Sequence, residues 1–436
     1  MKRFLALITA ALMLLPLTGC GAPETELDPD EPVVLSMWHV YGEQADSPMN
    51  RLVAEFNETV GLEKGILIDV SVMSNSAHIG DKLLAAQADR PGEPAMPDLF
   101  FCHASNAAAL GTENLLDWST RFSAEELADY VPEFLDEGRV DGHLVLFPVS
   151  KSTHLIFMNG TQFARFSADT GVTADSLATW DGFFDAAEQY YNWSGGRAFC
   201  AMAYLLRAGE LSLLSDGGSI PWQGSWYDTG DPALKEAFLP FARSLVQGHI
   251  AVSDLYANTQ VMTGEALSGL GSSAAILYFN DTVTYPDNTT EPMNLMVLPM
   301  PQGKSPVITQ AGVGLAAYKT TEKKAEAATV FAKWLTEPHR NLDFVTETGY
   351  MPVHRGAFEL IAEYPFSDPA REALFSTLQK VRASSVSVTE PTDSGYYKNA
   401  GAFYDKLREQ APLWAASSAS PDLLAEEVWE IFSSFH

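Results

Sequence analysis

Basic residues are in short supply: 27 Lys and Arg stand against 56 Asp and Glu in 436 residues, a formal net charge of −29. A chain this acidic offers no extended cationic surface, which excludes nucleic acid as a general partner. Charged residues of both signs make up only 19%, below the roughly 25% usual in soluble domains, so the imbalance reflects missing bases more than added acids. Cysteine is scarcer still, at three residues, which rules out a disulfide-stapled scaffold. No Gly-x-Ser-x-Gly, His-Glu-x-x-His or Walker loop occurs, and no period of about 20 to 50 residues recurs, so the familiar hydrolase, zinc-protease and nucleotide-loop signatures and solenoids all drop out. What is plentiful is apolar surface: 46% hydrophobic residues, with 24 Phe, 15 Tyr and 9 Trp. That supply builds more than one core, and the length suits two or three domains of about 150 residues.

The one long apolar run, Phe4 to Leu17, follows Lys2-Arg3 and ends at Leu17-Thr18-Gly19-Cys20. It is shorter than the ~20 residues a membrane-crossing helix needs, and small residues precede the cysteine, as in a cleaved signal peptide. The last four residues resemble the lipobox of bacterial lipoproteins. That resemblance implies a signal peptide over 1–19, a diacylated Cys20 and a protein held at the outer face of the cell membrane. Residues 20–32 carry Pro23, Pro29 and Pro32 among acids, with Leu27 the single large apolar side chain. This stretch reads as an acidic, semi-rigid tether, so membrane contact is expected through the lipid alone. Cys102 and Cys200 are far apart in sequence and are expected to be two buried thiols.

Beyond residue 32 the pattern alternates. Val33 to Trp38 reads as a strand, and Ser47-Pro48 opens a helix with an N-cap and a proline at its first position. Met49, Leu52, Val53, Phe56 and Val60 share one face of that helix. Ile66 to Met73 and Pro97 to Phe101 read as strands separated by a helix marked by Ile79, Leu83 and Leu84. This β-α-β-α-β order implies an α/β fold with a parallel sheet covered on both faces. After a turn at Asp141-Gly142, strands are expected at 144–149, 155–158, 274–279 and 295–300, and helices near Phe183, over 323–335 and after Ser420-Pro421. The segment 195–226 shows no clear periodicity and reads as loops with short helices.

Several of these segments, in this order, resemble the extracellular solute-binding proteins of ABC importers, the carbohydrate type. They are Trp38-His39, Pro97-Asp98-Leu99-Phe100, Asp141-Gly142-His143-Leu144-Val145-Leu146-Phe147-Pro148-Val149, Ser152-Thr153, Thr179-Trp180-Asp181, Met262-Thr263-Gly264-Glu265-Ala266, Leu298-Pro299-Met300-Pro301 and Thr348-Gly349-Tyr350-Met351-Pro352-Val353. The resemblance implies a type II periplasmic-binding-protein-like fold: two α/β lobes, three hinge crossings and a ligand cleft between them. The crossings are expected at Pro148–Thr153, near Pro299 and at Gly349–Pro352, giving one lobe from 33–149 with 299–347 and another from 153–298 with 351–436. The implied partners are a carbohydrate and the permease subunits of an ABC transporter, for a monomeric receptor that carries out no catalysis. Within the type, the glycerophosphate-binding branch is the most similar by eye, and its ligand contacts carry over to Ser152, Ser272, Gly312 and Tyr350. Phe101-Cys102-His103 departs from that branch's acidic residue, and no arginine occurs between Thr389 and Lys398. A neutral sugar is therefore expected in place of a phosphate, since arginine is the residue best matched to a phosphate fork.

Ligands of open α/β folds sit beyond the carboxyl ends of the strands. That rule nominates Trp38, His39 and Tyr41, then Asn75, then His103, together with the loop aromatics Trp222 and Trp226 and with Tyr350 at a crossing. Sugars present hydroxyl rims and C–H faces, which call for aromatic platforms and neutral donors. For Trp38 lobe packing competes evenly with a role in the site. His39, His103 and His154 lack metal-ligand spacing, and the loose Gly-x-Gly-x-x-Ala runs at Gly269 and Gly312 lead into apolar strands, so neither a metal nor a cofactor is expected. A secreted glycosidase using two of the many carboxylates is the rival from another class.

Overall fold

The computed structural model describes residues 25–42, 47–72, 76–391 and 393–436. Cys20, the segment 1–19 and Asn75 lie outside the described residues. In Val33–His39, Val33, Leu35 and Met37 turn into one core while Val34 faces solvent, the period-2 alternation of a strand with two different faces. It pairs in parallel with Ile66–Val72 on one side and Leu99–Cys102 on the other, and Gly314–Ala317 closes this four-stranded sheet antiparallel to Leu99–Cys102. Parallel neighbours require crossovers, and the helices Pro48–Phe56 and Ser76–Gln87 provide them. The first begins where its sequence says: the Ser47 hydroxyl accepts from the Asn50 N–H, and Pro48 occupies the first turn.

A five-stranded sheet follows, in the order Ile250–Ala251, Ala198–Met202, Ala266–Ser272, His154–Asn159, Leu295–Pro299. The first three run parallel, and His154–Asn159 is antiparallel to both its neighbours. Phe166, Phe183, Tyr190 and Phe199 fill the cluster beneath it, while Leu35, Phe101, Trp118 and Phe331 belong to another under the first sheet. Cys102 and Cys200 lie in different sheets as buried free thiols.

Three stretches run side by side between the sheets. Phe147 and Leu315 exchange backbone hydrogen bonds at 2.8 Å, Ser152 and Ala311 do so at 2.9 Å, and the Lys151 N–H donates to the Met351 carbonyl at 3.2 Å. Asn341 clamps two of them from the side, donating to the Val149 carbonyl at 2.8 Å and accepting from the Val353 N–H at 3.0 Å. The crossing expected near Pro299 falls later. Pro299 still pairs with Leu155, Met300 and Val307 pack in the second cluster, and Val307–Gln310 pairs with Val386–Thr389, so the chain changes sheets between Ala311 and Gly314. After Met351 it does not return at once: Val353, Ala357 and Ile361 join the first cluster.

Two sequence expectations fail for identifiable reasons. Residues 274–279, apolar enough to suggest a strand, form a 3-10 helix over Ser273–Tyr278, capped by the Ser272 hydroxyl accepting from the Ala274 N–H. The Gly269 and Gly271 pair lies inside the preceding strand, where a side chain at Gly269 would meet Ala257 at 2.8 Å. The segment read as loops holds a strand, Ala198–Met202, and the helix Leu205–Ser215. That helix is buried almost all round, so it carries no apolar stripe for periodicity to find.

Candidate functional site

The carboxyl ends of strands from both sheets open onto a cleft of about 510 Å³. Tyr41 enters from beyond the end of Val33–His39, and Tyr350 from the hinge; Tyr204, Tyr256, Ser272 and Tyr278 come from the other side. Tyr41 is buried, its hydroxyl 3.0 Å from the Ser150 hydroxyl, and its ring meets Tyr350 edge to face at 5.8 Å. Burial pushes the Tyr41 phenol well above its ordinary range and the Tyr350 phenol up to about 12, so both stay protonated. On the opposite wall Tyr256 is 81% exposed and Tyr278 67%. Large rings so open to water are unusual for a folded surface, and paired across a cleft they offer platforms with hydroxyl tips. Tyr204 stands between cleft and hinge, its ring 4.3 Å from that of His154, whose Nδ1 lies 2.7 Å from the Thr309 hydroxyl.

Of the residues nominated from sequence, the structure brings Tyr41, Ser272 and Tyr350 to this cleft. His103 and Gly312 sit together at the hinge, joined by a hydrogen bond from the ring to the Gly312 backbone; burial and the Lys151 charge hold His103 below the usual imidazole range. Gly312 has φ +124°, a conformation that requires glycine. Ser152 is buried in the hinge pairing, its hydroxyl donating to the Ala311 carbonyl at 3.4 Å. Three nominations are corrected. Trp38 points to the far face of its strand and packs against Ile79, Leu83 and Phe100. His39 is fully buried: its Nδ1 accepts from the Tyr41 N–H at 3.2 Å and its Nε2 lies 2.7 Å from the Asn50 side chain, tying the strand end to the first helix. Trp226 is fully buried, donating from Nε1 to the Phe432 carbonyl at 2.9 Å. Trp222 does reach the surface, but in a separate hollow of about 360 Å³ with Arg207, Glu390 and Tyr396.

The expectation of a neutral surround also needs correction. Lys151 is buried beside Glu137 with an N–O distance of 2.9 Å, and Arg207 is buried against Glu210. The Arg207 Nη2 donates to the Thr389 carbonyl at 3.2 Å, so an arginine does reach the start of the 389–398 stretch, from a helix nearly two hundred residues earlier in the chain. No one-dimensional pattern signals that meeting. Tyr204, Tyr256 and Tyr278 escaped the sequence reading because two lie in segments assigned to the wrong element type or to loops. Among the described residues no group of three or more His, Cys, Asp or Glu is placed to hold a metal ion, and no helix is long and apolar enough to cross a membrane.

Two α/β bodies joined by adjacent hinge strands, with a cleft at the strand ends, are the architecture of the periplasmic-binding-protein-like receptors. The bacterial extracellular solute-binding protein family matches this chain over residues 51–373, and the chain belongs to it. It is therefore an extracellular solute-binding transport component. No curated protein matches it in sequence. Solved structures agree in fold. The cyclic α-maltosyl-1,6-maltose binding protein of Arthrobacter globiformis is 20% identical with a TM-score of 0.66, the match covering 92% of this chain and 100% of that one. UgpB of Mycobacterium tuberculosis in complex with glycerophosphocholine is 15% identical with a TM-score of 0.68, covering 92% and 98%. An ABC substrate-binding protein of Listeria monocytogenes in complex with cycloalternan is 15% identical with a TM-score of 0.67, covering 93% and 99%.

Proposed function

We propose that this receptor captures a carbohydrate in the tyrosine-lined cleft and delivers it to the permease of an ABC importer, anchored outside the cell by a lipid on Cys20. The observation that carries the reading is the pair of facing walls: Tyr41 and Tyr350 on one side, Tyr256 and Tyr278 on the other, hydroxyl-bearing rings around about 510 Å³. Such walls stack on C–H faces and hydrogen-bond to rim hydroxyls. Of the three structures above, one is of a cyclic α-maltosyl-1,6-maltose binding protein and another is a complex with cycloalternan, which points the same way. We further propose that the lobes divide at the three adjacent hinge stretches, so that a ligand touching both walls favours the closed arrangement.

Catalysis has little support in this cleft. Of the described residues, Glu347 alone brings a carboxylate to it, and that carboxylate is engaged by Arg51, whereas glycoside hydrolysis uses two. A phosphate reading is disfavoured because Arg207 is already matched by Glu210. A thermal-shift panel of mono- and oligosaccharides, polyols and glycerophosphodiesters tests the assignment. A carbohydrate at 100 times its dissociation constant should add about 2.7 kcal/mol of stability, several degrees in Tm; silence across every carbohydrate would refute it.

A further inference from the structure

Around the hollow beside the hinge, four carboxylates meet two bases, and one of the four, Asp393, is engaged as a helix cap, accepting from the Gly395 N–H at 2.8 Å. Lys151 is matched by Glu137 and Arg207 by Glu210. Glu210 takes further hydrogen bonds from the Tyr227 and Tyr396 hydroxyls, and Arg207 spends another donor on the Thr389 carbonyl. Glu390 is left over. It lines the hollow half-buried, and among the described residues it has neither a hydrogen-bond nor an ion-pair partner. Beside it Trp222 is 44% exposed, stacked on Tyr227 at 4.9 Å and nearly perpendicular to Tyr396 at 5.6 Å. An indole face, a phenol ring and an unmatched carboxylate around about 360 Å³ are the surroundings that attract a weakly hydrated organic cation, through ring quadrupole and charge together.

We propose that the hollow formed by Trp222, Tyr396 and Glu390 binds an alkylammonium group, carried either on the sugar taken into the cleft or by a small free cation. The inference deepens the carbohydrate reading and rests on it for the first of these sources. Tyr204, on the cleft wall, immediately precedes the helix whose first turn carries Arg207 of the hollow. Glu390 faces Arg207 on the Leu205–Ser215 helix, Lys151 in the hinge, Glu137 and Glu210. Burial, then the two neighbouring carboxylates, hold its carboxyl above the usual range against the pull of Arg207 and Lys151. A bound cation supplies the missing positive charge; acidification removes the carboxylate and with it the attraction.

The test is a tryptophan-fluorescence titration of the full mature chain, with glucosamine against glucose and with choline and tetramethylammonium against 3,3-dimethylbutanol. Charged probes should bind about tenfold or more tightly than their neutral counterparts, a preference lost in Glu390→Gln and Trp222→Ala and fading in the wild type as pH is lowered. Preference for glucosamine alone places the ammonium on a sugar; binding of choline and tetramethylammonium places a free cation there. Equal affinity for charged and neutral probes, or a preference that survives both substitutions, overturns the proposal. A variant that fails to fold leaves the wild-type pH profile as the test, and a flat profile overturns it too. If neutral sugars stabilise the protein while no ammonium preference exists, only this inference falls; if ammonium is preferred while no sugar binds, the carbohydrate reading falls instead.

Discussion

At the scale of single residues, tryptophan shows how one side chain type serves opposite ends. Trp226, fully buried and hydrogen-bonded to the Phe432 carbonyl, belongs to the core, and Trp226→Ala should cost about 3–5 kcal/mol, read as a lowered denaturation midpoint. A variant as stable as the wild type would return Trp226 to the site. His154 makes a pH prediction. Burial first, and the Arg207 charge second, push its imidazole down to about 3 from an ordinary 6.5. Between those values the unfolded chain binds a proton that the folded chain refuses, so stability falls as pH drops from about 6.5 toward 3. His39 and His103, also held low, add in the same direction. Denaturant melts at pH 7 and pH 4.5 should show His154→Gln losing about 2 kcal/mol less than the wild type; identical losses would contradict the assignment. Tyr41 was legible as a cleft residue because it follows a strand and Tyr350 because it stands at a crossing, whereas Ser272 came only from the family resemblance. Trp38 was not, since strand alternation decides which face a side chain takes and a one-residue difference reverses it.

At the scale of elements, the readable ones had caps or alternation. Ser47-Pro48 and Ser420-Pro421 begin helices as their chemistry dictates, and Asp141-Gly142, with both residues at positive φ, turns a short hairpin. The all-round burial of Leu205–Ser215 and the apolar 3-10 turn at Ser273–Tyr278 erased the periodicity that would have marked them. The hinge was only partly visible, because Asn341 and Thr309 act on it from elements remote in sequence. Asn341→Ala leaves the Val149 carbonyl and the Val353 N–H buried without a partner. The cost should be about 2 kcal/mol, with Asn341→Asp failing to restore it because an acceptor-only side chain cannot donate to Val149. Full stability in both variants would mean that the hinge does not depend on this clamp.

At the scale of the whole molecule, the shortage of bases takes a specific form. Those near the cleft and hinge are nearly all paired, and the surplus of acid surfaces locally as one unmatched carboxylate beside an exposed indole. Fold and family follow from the order of segments along the chain, but the site depends on which remote elements meet at the hinge, and that is a property of the folded chain alone. The exposed tyrosines opposite Tyr41 and Tyr350 are the proposed carbohydrate platform, and that role is open to a direct test. It is tested most directly by the sugar-induced thermal shift of Tyr256→Ala/Tyr278→Ala beside the wild type. Without ligand the double variant should melt with the wild type, as both rings lie largely in water, and with the stabilising sugar it should lose most of the shift. A full shift in the double variant would contradict that role.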